Sequence, residues 1–139
     1  MKTKLSNLFI ALQAAAAACL VGAIHIWAPV CGKLLELANG NQVPMKCHWT
    51  GRAAIAVCLI IFLTALIALA EKKNHRGLMG ANAVAGVVLF LIFTTFIGVC
   101  ASAEMRCQVT KLWGMGCAAV VTLSSLIELF SGKEGQIPC

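Results

Sequence analysis

Four long apolar runs constrain this chain more than anything else in it. They cover roughly Leu5–Ala28, Ala53–Ala70, Leu78–Cys100 and Leu112–Ser131, with short polar segments between them. Lipid offers no partner to an unpaired backbone N–H or C=O, so a run of about 20 apolar residues crosses a bilayer only as a helix. Composition agrees: 60% of residues are hydrophobic and 12% charged, against about 25% charged in soluble domains. The expectation is an all-α, four-helix transmembrane bundle forming a single domain over residues 1–139, with a polar tail at 132–139. The first run begins like a signal peptide, with Lys2 and Lys4 before it and Ala16-Ala17-Ala18-Cys19 inside it. It continues past Cys19 to Trp27, and Ala16 stands where a lipoprotein signal prefers Leu, so a retained helix is expected.

The polar segments repeat. Met45-Lys46-Cys47-His48-Trp49-Thr50 has an echo sixty residues later in Met105-Arg106-Cys107-Gln108-Val109-Thr110. Laid together without a gap, residues 45–69 and 105–129 share Met, Cys and Thr in this island. They also match Leu63, Leu66, Ile67 and Leu69 with Leu123, Leu126, Ile127 and Leu129. A duplication is expected: two parallel helical hairpins, repeat 1 over about 5–70 and repeat 2 over about 78–131. Both hairpins enter from one membrane face, so a pseudo-twofold along the membrane normal should relate them.

These elements also carry a resemblance. Val30-Cys31 and the Met45–Thr50 island, with Ile97-Gly98-Val99-Cys100 and Glu104-Met105-Arg106-Cys107, resemble a family of small bacterial four-helix membrane proteins. That family is known only as domain-of-unknown-function family 4418. The resemblance covers nearly the whole chain, and Met-Lys-Cys-His is its most specific part. Arg106 stands where the family pattern often has Pro. The resemblance implies an architecture and brings no catalytic or binding role with it.

The net charge of +6 does not point to nucleic acid. Lys and Arg sit at the ends of apolar runs, where they mark membrane boundaries and meet anionic headgroups, and no basic stripe carries interleaved aromatics. With both termini on one side, Lys2, Lys4, Lys72, Lys73, Arg76 and Lys133 share it, against Lys33, Lys46, Arg52, Arg106 and Lys111 opposite. The basic Lys72–Arg76 connector, set against four cysteines at the other end, favours cytoplasmic termini in a plasma-membrane protein. Trp27, Trp49 and Trp113 fall at the cysteine end as interface anchors.

Chemistry, if there is any, lies with the cysteines. Cys31, Cys47, Cys100 and Cys107 sit in or beside the two loops at that end, and the expectation is one structural disulfide per loop, Cys31–Cys47 and Cys100–Cys107. Such a bond acts mainly by restricting the unfolded chain. Two alternatives compete. Four helices and paired loop cysteines resemble membrane thiol–disulfide oxidoreductases of the DsbB and vitamin-K-epoxide-reductase types, which pass electrons to a quinone. Their closely spaced cysteine pair is missing here, however. Met45, Cys47, His48, Met105 and Cys107 instead offer soft donors suited to Cu(I). Gln13 and Asn82 are expected to hydrogen-bond between helices, with His25 and Glu128 near the interfaces. Cys19, Cys58 and Cys117 read as small packing residues.

The chain has no phosphate loop, nucleophile elbow or His-Glu-x-x-His motif. The expected role is a non-catalytic accessory or scaffolding subunit with no cofactor. Its partner would be another membrane protein or a second copy, and the alanine-rich face of the first helix is the docking surface.

Overall fold

Two of the helices begin well before the apolar runs that announce them. In the computed structural model, which describes residues 2–30, 34–71, 76–97 and 106–131, the chain forms four helices. Helix α1 covers Lys2–Gly22 and continues through a π-helical turn at Ala23–Trp27; α2 covers Lys46–Ala70. Helix α3 covers Arg76–Leu91 with a second π-turn at Ile92–Phe96, and α4 covers Cys107–Ser131. All four are long and apolar enough to span a membrane. The expectation that α2 and α4 begin with their apolar runs, at about Ala53 and Leu112, is corrected. Both Met-x-Cys islands run directly into helix, so Cys47 and Cys107 lie in first turns rather than in loops. Hydropathy marks where lipid begins, whereas polar residues extend a helix beyond it at little cost.

The connection between α1 and α2 holds a β-hairpin that no sequence expectation named. Strand β1 (Leu34–Glu36) pairs antiparallel with β2 (Gln42–Pro44), Leu34 opposite Pro44, Leu35 opposite Val43 and Glu36 opposite Gln42. The turn closes with Gly40 N–H donating to the Leu37 carbonyl at 2.9 Å and Leu37 N–H to the Asn41 carbonyl at 2.9 Å. Gly40 takes φ +77°, the left-handed residue that three-residue hairpin loops require.

Neighbouring helices run antiparallel around a ring in which α1 and α3 each pack on both α2 and α4. Their buried faces keep a common register. Ile10, Gln13, Ala17, Leu20, Ala23 and Ile24 of α1 are buried, and so are Met79, Asn82, Gly86, Leu89, Ile92 and Phe93 of α3. Each pair is separated by 69 residues, as are Gln13 and Asn82. On α2 and α4 the matched buried pairs lie sixty apart: Cys47/Cys107, Thr50/Thr110, Ala54/Gly114, Cys58/Ala118, Ile61/Val121 and Ala65/Ser125. The difference falls between the helices, where only the first connection carries the hairpin among the described residues.

Candidate functional site

The end of the bundle bearing Cys47 and Cys107 is the most elaborated part of the molecule. Cys47, Thr50, Cys107 and Thr110 are all fully buried there. The Thr spacing of three from each Cys puts both side chains on one helix face. The Thr110 hydroxyl donates to the Ala28 carbonyl at 2.7 Å, a much better bond than the 3.4 Å approach to the Arg106 carbonyl in its own helix. Ala28 is itself buried, and its N–H reaches back to the Ala23 carbonyl at 2.7 Å, which closes the π-turn. Thr110 therefore satisfies a carbonyl that the end of a helix would otherwise leave open. The next turn of the same packing sets Val30 on Gly51, where an added Cβ would meet the Val30 methyls at 3.0 and 3.1 Å. Trp27 and Trp113 make an edge-to-face contact with ring centroids 5.9 Å apart, tying the π-turn of α1 to α4.

The residues singled out from the sequence fall into three groups. Cys47 and Cys107 are buried by the helix starts, whereas His48 and Met45 are half-buried and Trp27, Trp49 and Trp113 remain exposed. Cys31, Cys100 and Met105 lie outside the described residues. His48 faces the indole of Trp49 edge-on at 6.0 Å. Among the described residues no three His, Cys, Asp or Glu side chains converge as metal ligands would. Deeper in the bundle, Cys58 is part of the apolar core and Cys117 packs against it. Cys117 also lines an open groove of about 390 Å³ with Ala16, Leu112, Trp113, Gly116 and Val120.

A second polar cluster lies toward the other end. Asn82 Nδ2 donates to Gln13 Oε1 at 2.8 Å, so the two amides expected to join helices do so with each other, across the diagonal from α1 to α3. Thr64 of α2 donates to Asn82 Oδ1, and Gln13 Nε2 approaches Met79 Sδ at 3.7 Å. Each amide uses acceptor and donor together, which is what removes the cost of placing them in an apolar interior. Glu128, expected near the interface, accepts a hydrogen bond from Ser6 and so joins α4 to the start of α1.

A family model described as a domain of unknown function, DUF4418, matches residues 13–131. The chain belongs to this family. The DUF4418 match runs from the second half of α1 to the end of α4 and includes both islands. No curated protein and no solved structure matches the chain.

Proposed function

We propose that this DUF4418 protein is a non-catalytic accessory or scaffolding subunit that docks on another membrane protein through α1. One observation carries the reading: Ala11, Ala15 and Ala18 form an exposed stripe on the lipid-facing side of α1, while Ala17 turns into the core. Small residues at this spacing let a second transmembrane helix approach closely, and van der Waals contact then holds it without any hydrophobic driving force. Ala15→Leu tests the idea, because Ala15 touches nothing that the bundle needs. In mild-detergent extracts the wild type should migrate as a complex and the variant at its own mass, both with the same melting temperature. Unchanged migration of the variant would sink the proposal.

The duplication and the disulfides belong to the same reading. The buried registers, the paired π-turns and the matched Cys–Thr faces support descent from one helical hairpin used twice. Burial of Cys47 and Cys107 favours a structural role over thiol exchange, which needs a sulfur that a substrate can reach. Closing these loops should contribute ~2–3 kcal/mol each. Replacing Cys100 and Cys107 together by Ser should lower the melting temperature and leave complex formation intact. Loss of function in a double variant that melts like the wild type would instead favour the oxidoreductase.

A further inference from the structure

The β-hairpin is amphipathic, and the bundle leaves its apolar face uncovered. Leu35 and Val43 are directly paired across the strands, and Leu37 lies two residues beyond Leu35 on the same face. These three side chains are 50%, 43% and 46% exposed. The other face carries Leu34, 52% exposed, opposite Pro44 at the base, and toward the turn a polar pair in which Gln42 Nε2 donates to Glu36 Oε1 at 3.3 Å. A two-stranded hairpin has no core of its own and is marginal in water, so a face of this kind calls for a cover.

We infer that the cover is the bilayer: the hairpin lies in the headgroup–acyl boundary with Leu35, Leu37 and Val43 toward the acyl chains. Its tether decides the occupant. Only Met45 separates β2 from the start of α2, and two residues of extended chain reach about 7 Å. The base of the hairpin is thus held at the level of α2's first turn, where Trp49 is 55% exposed. Trp27 and Trp113 lie at the same end, and indoles of this kind settle at the headgroup level. Lys46 and Arg52 are exposed beside them, placing positive charge where anionic headgroups would meet it. Held at this level, Leu35 and Val43 beside the base stay within reach of the interface, and a hairpin that lies flat brings Leu37 to it as well while Glu36 and Gln42 turn toward water. The inference is independent of the accessory role, since it concerns lipid rather than a partner.

The test uses the full-length protein, methyl-labelled at Leu, Val and Ala, in nanodiscs of phosphatidylcholine and phosphatidylglycerol. Two paramagnetic agents are compared: a lipid with a nitroxide near the top of its acyl chain, and a soluble gadolinium chelate. The Leu35, Leu37 and Val43 methyls should broaden strongly with the lipid nitroxide. With the chelate they should broaden several-fold less than the methyl of Ala38, which is exposed in the turn. Broadening by the chelate as great as that of Ala38, with no effect from the lipid probe, would overturn the inference and leave the hairpin in water as an edge for another strand. Shielding from both agents would overturn it too, because the cover would then be protein, such as a second copy.

Discussion

The two helical hairpins bury the same register and fill it with different side chains. Where α1 and α2 bring Ile24 and Ala54 into the core, α3 and α4 bring Phe93 and Gly114 at the corresponding positions. An added Cβ on Gly114 would lie 2.3 Å from the Phe93 ring, so the larger ring is accommodated only because its neighbour has none. Likewise Ala65 of the first hairpin corresponds to Ser125, whose buried hydroxyl has no hydrogen-bond partner among the described residues. Thr64 and its counterpart Ser124 both reach a carbonyl of their own helix, Ile60 at 2.8 Å and Val120 at 2.7 Å, and Thr64 also reaches across to Asn82. The difference teaches that the register is held while volume and polarity are traded between neighbours within it, as close packing requires.

The comparison is broken or sharpened most directly at Gly114. Gly114→Ala should cost about 2 kcal/mol by overpacking, read as a lower melting temperature in detergent. Adding Phe93→Ile, which copies the Ile24–Ala54 combination, should restore most of the loss. If the single variant melts like the wild type, the two halves are not packed as alternatives of one scheme.

A smaller effect is expected at the diagonal amide pair. Asn82→Leu removes the acceptor for Thr64 and the donor to Gln13, at about 1–1.5 kcal/mol for interhelical bonds in a membrane protein. The Gln13→Leu/Asn82→Leu double variant should lose less than the two single losses added together. Strict additivity would show that the amides do not act as a pair.

Thr110→Val keeps the shape and deletes the bond to the Ala28 carbonyl. About 1 kcal/mol should be lost, with faster amide exchange at Ala28 as the local readout. An unchanged exchange rate there would mean that the π-turn holds without this tether.

The smallest effect has the opposite sign. Ser125→Ala removes a hydroxyl that is fully buried and unsatisfied and installs the residue found at Ala65. Stability should rise by a few tenths to about 1 kcal/mol. A loss would show that the hydroxyl is used after all.

Much of this was legible in the sequence, but not evenly. The sequence match of Leu63, Leu66 and Ile67 with Leu123, Leu126 and Ile127 falls on side chains that are all exposed. The interior is held by the small and polar matches instead. Cys47 and Cys107 stand outside the apolar runs and so read as loop residues, whereas the helices begin before the runs do. The hairpin did leave a signal, Asn39-Gly40 between Leu35 and Val43. Its three-residue strands are too short for periodicity to distinguish from a loop.

The sequence alone determined the number of helices and the membrane-spanning class, because lipid leaves an apolar run of that length a single way to satisfy its backbone. It also placed the polar residues that must find partners inside. Which face of each helix turns inward was decided only by the tertiary structure. In water the apolar face declares itself; in lipid both faces are apolar, and what selects the inner one is fit. Gly114 against Phe93, Thr110 on the Ala28 carbonyl and Gln13 with Asn82 are matches between distant parts of the chain, and no local pattern encodes them.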